Sequence, residues 1–213
     1  MIPLDIFHDP ICPWCYIGKA RLERALEARP NHRFAIQWHP FQLNPTMPKG
    51  GMERRDYLNA KFGGSEGARK AYAPVVEILI KELPKTDLLG IRTTPNTMDA
   101  HRLIHWAGIE GRQTPMVSAL YRAYFQEGRD IGAPEVLADL AGQVGMDAGA
   151  TLRLLATDAD IDEIQTRDRH ARDRGVNAVP LFIVGNQHAV SGAQPTDLWL
   201  DVIDELAAQD DPL

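Results

Sequence analysis

Near the start of the chain stands Leu4-Asp5-Ile6-Phe7-His8-Asp9-Pro10-Ile11-Cys12-Pro13-Trp14-Cys15-Tyr16-Ile17-Gly18, and the reading of that stretch decides the fold. Leu4 to Phe7 is a short apolar run that stops at His8-Asp9-Pro10, which predicts a buried strand. From Pro13 the spacing turns helical, with Trp14, Ile17, Gly18, Leu22 and Leu26 on one face. Pro30-Asn31 ends that helix. Phe34, Ile36 and Trp38 then alternate with Ala35, Gln37 and His39, a strand period. Strand, helix, strand is the βαβ unit of a parallel sheet.

Beyond Pro40 the character changes. Asn44-Pro45, Pro48 and Gly50-Gly51 predict a loop. From about Glu53 to Arg174 the periodic segments are helical. One wide stripe holds Ala71, Tyr72, Val75, Val76, Leu79 and Ile80, with Pro74 predicting a kink or a helix start. Another holds Ala100, Leu103, Ile104 and Ala107 behind Asn96 as N-cap. Further stripes run through Val117, Leu120, Tyr121, Tyr124 and Phe125, then Val136, Leu137, Leu140, Ala141 and Val144. Asp147 is expected to cap a helix carrying Leu152 and Leu155. A charged helix from about Asp160 to Arg174 stops at Gly175. Leu181 to Val184, Gly185-Asn186 and His188 to Ser191 predict an antiparallel hairpin, and a last helix runs from about Pro195 to Ala208. With the helical block set aside, a thioredoxin-like sheet remains, built from both chain ends. The fold class is α/β, a thioredoxin-like fold with a large all-helical insertion. The expected division is 1–45 plus 175–213 for the sheet domain and 46–174 for the insertion.

The two cysteines of the 213-residue chain lie three positions apart. A disulfide scaffold needs more, spread along the chain, and a bridge across so short a loop removes little chain entropy. Half a zinc site is a second reading of the spacing, but two further ligands are needed, and His8 and His39 show no ligand spacing; no metal is expected. The placement after a strand and at a helix start points to redox chemistry. Cys12 falls where unpaired backbone N–H groups favour negative charge, Pro13 suits the first helical position, and a thiolate is the reactive form of cysteine. Cys15, one turn along, is expected to be the more buried of the two. Cys12 then attacks a disulfide and Cys15 resolves the mixed disulfide.

Hydrophobic residues make up 44% of the chain, enough for a sizeable core. The formal charge is −6 with no long Lys/Arg run, so nucleic acid is not an expected partner. No stretch approaches the length of a membrane span. Met1 to Phe7 lacks a basic leader and a cleavage site, so a cytoplasmic protein is expected.

With these motifs in hand, the chain resembles the DsbA family of the thioredoxin superfamily, and within it the FrnE-like branch. The resemblance rests on Cys12-Pro13-Trp14-Cys15-Tyr16-Ile17-Gly18-Lys19, Pro40 to Pro45, Pro95-Asn96-Thr97, Ala100 to Leu103, Ala123-Tyr124-Phe125, Gly175-Val176 with Val179-Pro180, and Val190 to Pro195. It implies a redox-active CXXC centre and a cis Val179-Pro180 peptide beside it. The Val179 backbone would pair with an extended substrate, and the helical block would cap the groove. By itself, Pro180 also reads as ordinary punctuation at a strand start. Disulfide- or dithiol-containing proteins and small thiols are the implied partners. No resident cofactor is implied beyond the redox disulfide, and a homodimer is compatible with this kind of protein. Kappa-class glutathione transferases and hydroxychromene-carboxylate isomerases share the architecture, and in them a serine usually replaces the attacking cysteine. In that setting Asn96, His101 and the turn Ser191-Gly192-Ala193-Gln194 face the groove. Glutathione therefore stays open as a co-substrate, and a glutathione-dependent isomerase or transferase is the alternative function.

Other candidates have plainer readings beside the functional one. His8 is placed to tune Cys12 or to bond backbone at a strand end. Asn96 reads equally as a cap, and His101 as an ordinary histidine beside an apolar stripe. Trp14 is expected to be exposed between the cysteines, tuning the potential or meeting substrate. Lys19, Arg21 and the stretch Arg167 to Arg174 are expected to be solvated.

Overall fold

The computed structural model describes residues 1–208; the last five residues of the expected sheet domain lie outside the described residues. Strand β1 (Ile2–His8) pairs in parallel with β2 (Phe34–Pro40) across the helix α1 (Pro13–Ala28). On its other side β1 pairs antiparallel with β5 (Leu181–Val184), which continues into β6 (His188–Ser191). The sheet order is β2-β1-β5-β6, so residues from both chain ends meet at β1. Gly185 and Asn186 both have positive φ, and Gln187 N–H closes the turn on Val184 O at 3.1 Å, which makes the expected tight hairpin.

Helices α2 (Arg54–Phe62), α3 (Ser65–Glu82), α4 (Met98–Ile109), α5 (Gln113–Phe125), α6 (Pro134–Gln143), α7 (Ala148–Leu155) and α8 (Ile161–Asp173) lie between β2 and β5. Helix α9 (Thr196–Ala208) closes the described chain. This is a thioredoxin-like α/β fold with a helical insertion. The block also holds something the hydrophobic pattern did not signal, a two-residue ribbon pairing β3 (Met52–Glu53) with β4 (Thr93–Thr94). Two residues are too few to show a period of two.

The stripes of α4 and α5 are buried as expected. Asp147 caps α7 by accepting from Ala150 N–H at 2.9 Å. Three expectations need correction and one narrows. Pro74 does not start a helix, because α3 runs through it. It lies on an exposed face, where water can reach the Lys70 carbonyl that lacks its usual donor. The wide stripe of α3 is only partly used: Val75 and Leu79 are buried, while Ile80 is 71% exposed. This helix packs on α1 and α2, and nothing among the described residues covers its other edge. Leu152 is 41% exposed although Leu155 is buried. Strand β1 is buried on one face and half-buried on the other, since Leu4 and Ile6 are covered while Asp5 and Phe7 are not fully so.

The faces differ because α1 and α9 cover only one of them. Phe182 and Trp199 meet there edge to face with ring centroids 4.8 Å apart. On the other face α8 packs mainly on β2 and α4.

Candidate active site

Strand β1 delivers the chain to a tight turn, in which Cys12 N–H donates to Asp9 O at 3.0 Å. Cys12 is then the N-cap of α1, with φ −81° and ψ 116°, and Pro13 takes the first helical position. Its sulfur accepts from Cys15 N–H at 3.4 Å, the bond a serine or aspartate oxygen makes at other helix starts. Cys12 Sγ also lies 3.7 Å from the carbonyl oxygen of Val179. The Val179-Pro180 peptide is cis.

The β6–α9 turn supports that arrangement. Gly192 N–H donates to Pro180 O at 2.9 Å. The Arg21 guanidinium donates to Ala193 O at 2.6 Å and grips Glu82 of α3 with its other side. Gly18 explains the closeness of α1. A Cβ there would stand 3.1 Å from Pro180 Cγ and 3.3 Å from Phe182 Cζ. A side chain at Gly18 would therefore push the helix, and Cys12 with it, off the proline loop.

Beneath the thiols lies a buried polar layer. Asp9 accepts from Leu43 N–H at 2.7 Å and from Ile11 N–H at 3.3 Å. Burial nevertheless pushes its carboxyl up to about 7. His8 Nδ1 and the Tyr121 hydroxyl share a 2.9 Å hydrogen bond. Burial holds His8 well below the ordinary histidine range, with the neighbouring His101 adding to the effect. Burial also raises the Cys15 thiol well above its usual value, followed by its hydrogen bond to Cys12. Tyr121 is raised likewise, first by burial and then by Cys15 and Cys12.

The structure brings Cys12, Cys15, Pro13, Val179 and Pro180 together, with Gly192 one hydrogen bond away and Ala193 held beside it by Arg21. Ser191 stands at the exposed end of β6, and no bond to the cysteines is among its contacts. Cys12 is less open than an attacking thiol is expected to be, with 3% of its surface exposed against 1% for Cys15. The Val179 carbonyl is what its sulfur touches. Trp14 is half-buried against the core instead of exposed. His8 bonds a tyrosine and not backbone, and its second ring nitrogen is buried without a partner. Thr97 holds the N-cap position of α4 without a side-chain bond, and Asn96 just before it accepts from the first helical N–H, that of Met98, at 2.9 Å. Asn96 reaches Met98 N–H, Met47 O and Gln42, and ties the 41–51 loop to the helix. His101 is fully enclosed, stacks edge to face on His8 at 5.7 Å, and is lowered to about 4 by burial.

Lys19 and Arg21 are not solvated either. Lys19 is buried and pairs with Glu23 one turn along, and Arg21 is committed as described. The α8 charges are partly structural: Asp168 accepts from Gln42 N–H at 2.8 Å, and Arg172 lies over the Phe41 ring at 4.0 Å. Among the residues the pattern did not single out, Asp9, Gly18 and Tyr121 stand out. In the sequence Asp9 reads as a turn residue and Tyr121 as a member of an apolar stripe. Arg54 is a further one: it is buried, and its guanidinium donates to the hydroxyls of Tyr72 and Tyr124 at 2.8 and 3.2 Å. No helix among the described residues is long and apolar enough to cross a membrane. Nor does any group of three or more His, Cys, Asp or Glu there have the placement to hold a metal ion.

A model of the DSBA-like thioredoxin domain matches residues 3–204. The chain belongs to that family. Among solved structures this DSBA-like protein is similar to a probable DsbA oxidoreductase from Streptomyces coelicolor, at 31% identity and a TM-score of 0.85, covering all of this chain and 93% of the other. An uncharacterized protein of Bacillus subtilis, YwbO, is 25% identical over 205 residues, 96% of each chain. The cytosolic disulfide reductase DsbM from Pseudomonas aeruginosa, solved with GSH, has 18% identity and a TM-score of 0.64 over 97% of this chain and 99% of its own. That last likeness is one of fold.

Proposed function

We propose that this DSBA-like protein is a thiol–disulfide oxidoreductase that exchanges disulfides with protein or small-thiol substrates, with Cys12 as nucleophile and Cys15 as resolving thiol. The reading rests above all on Cys12 being the N-cap of α1, with Cys15 N–H aimed at its sulfur. A donor in that position favours a thiolate. The Cys12 sulfur attacks one sulfur of the substrate disulfide, and the other leaves as a thiolate. Cys15 then gives up its proton and attacks Cys12 Sγ, releasing the second substrate thiolate and leaving Cys12–Cys15 oxidised. Two electrons pass from the dithiol to the substrate, and the reverse sequence oxidises a dithiol.

The Asp9 carboxyl, pushed up to about 7 by burial, lies in the layer beneath the thiols, and its charge helps raise Cys15. Access to Cys12 requires the sulfur to leave the Val179 carbonyl. A thiol contact at 3.7 Å is weak, and a substrate backbone that replaces it satisfies the same carbonyl. The FrnE-like branch, a cytoplasmic location and glutathione as a small-thiol partner belong to the same proposal. DsbM, a cytosolic disulfide reductase of similar fold solved with GSH, supports testing the location and the glutathione partner here.

The test is insulin reduction with dithiothreitol as electron source. Wild type is expected to be active, Cys12→Ser inactive, and Cys15→Ser to accumulate mixed disulfides. A Cys12→Ser protein that reduces insulin at the wild-type rate ends the proposal.

A further inference from the structure

The sheet face away from α1 carries a second candidate site. Beyond the edge of α8 it opens into a cleft of about 950 Å³, within the usual range of small-molecule sites. Phe7, Leu181 and Ile183 form an apolar floor, and Arg167, His170 and Arg174 project from α8 along one wall. Glu163 stands on the same wall, one turn before Arg167.

Arg167 is the unusual member. It is half-buried, and among the described residues its guanidinium makes no ion pair. Its Nη1 donates to His105 Nδ1 at 3.2 Å, and its Nη2 donates to His39 Nδ1 at 3.3 Å. His39 is fixed in turn. Its Nε2–H donates to Asp5 at 2.6 Å, and its ring stacks on Phe7 with centroids 4.9 Å apart. Burial lowers His39, against the pull of Asp5, and a ring nitrogen facing a guanidinium N–H can only be the acceptor. Two imidazole nitrogens therefore orient the guanidinium without supplying negative charge. A guanidinium has five N–H donors, and the imidazoles use two. Carboxylates are what such a planar fork binds best.

We propose that this cleft binds a small organic carboxylate, its acid group on Arg167 and its apolar body on Phe7, Leu181 and Ile183. The site is separate from the cysteines and does not depend on the redox reading. Asp5, bonded to the far side of His39 and itself part of the lining, and Glu163 are the opposing charges, and Asp5 sets a distinctive test. Removing Asp5 strengthens anion binding, whereas a variant that merely damages the fold weakens it.

Benzoate and uncharged benzamide are titrated into the full-length protein, followed by amide chemical shifts. Benzoate is expected to saturate shifts around residues 5–7, 39 and 181–183, with benzamide at least roughly tenfold weaker. Arg167→Gln is expected to weaken benzoate about tenfold, and Asp5→Asn to tighten it severalfold. If Arg167→Gln does not fold, Arg174→Gln on the exposed rim carries the same arm with a smaller loss. Absence of saturable shifts with benzoate overturns the proposal. So does equal binding of benzamide, or affinity that Asp5→Asn leaves unchanged or lowers.

Discussion

The two faces of the sheet are built from alternate residues of the same strands and end differently. On one, Leu4, Ile6, Phe182 and Val184 disappear beneath α1 and α9, and Trp199 is fully buried. On the other, Asp5, Phe7, Leu181 and Ile183 stay partly exposed beside α8. The closed face positions the chemistry. It fixes α1 against the Pro180 loop and so places the Cys12 sulfur beside Val179. The open face holds its charges in a hydrogen-bonded chain and leaves room for a ligand. Tight packing and an accessible polar cleft are thus separated by the thickness of one sheet.

The largest contrast is expected from aromatic truncation. Trp199→Ala removes a fully buried ring and should cost about 3–5 kcal/mol. Phe7→Ala on the half-exposed face should cost about 1–2 kcal/mol. Urea denaturation of both variants checks this, and equal losses would erase the distinction between the faces.

A smaller loss is expected at Gly18. Gly18→Val forces a side chain into the contact with Pro180 and Phe182 and should destabilise by about 1–3 kcal/mol. The same substitution displaces Cys12 from Val179, so disulfide exchange should fall more steeply than stability. An active Gly18→Val protein would show that the closeness of α1 to the proline loop is dispensable.

The buried layer sets a pH dependence with two opposing signs. His8 and His101 are lowered by burial, His101 from 6.5 to about 4. The unfolded chain binds more protons in that window, so their contribution is lost as pH falls from about 6.5 towards 4. Asp9 is raised from 3.8 to about 7. There the folded chain binds more protons, so stability declines as pH rises through that interval. Asp9→Asn should remove the second slope and keep the first, as read by denaturant midpoints between about pH 4 and 8.

The smallest effect belongs to the exposed ion pair of Arg29 with Asp204, where α1 meets α9. Arg29→Gln should leave the denaturant midpoint almost unchanged, because solvent screens an exposed pair. A larger change would mean that this edge of the closed face depends on charge more than on packing.

Much of this was legible in the residues. The period-two runs, the helical stripes of α4 and α5, and the cysteine pair between a strand and a helix all carry local signals. Positions decided by distant partners were not legible. Arg21 looks like an ordinary surface cation until the distant Glu82 appears beside it, and nothing local announces that Lys19 is buried. Tyr121 lies 113 residues from His8, and nothing in its apolar stripe announces their bond. Ile80 and Leu152 failed in the opposite way. Their spacing promised a partner surface, and no described element covers them. The β3–β4 ribbon was hidden by its shortness alone.

The account turns on the Cys12 sulfur being the one that meets a partner although it lies under the Val179 carbonyl. Incubation of the Cys15→Ser and Cys12→Ser variants with oxidised glutathione, followed by intact mass and peptide mapping, tests this directly. The expected result is one glutathione adduct on Cys12 in the first variant, formed much faster than any adduct on Cys15 in the second. An unmodified Cys12, or a Cys15 that reacts at the same rate, would contradict it.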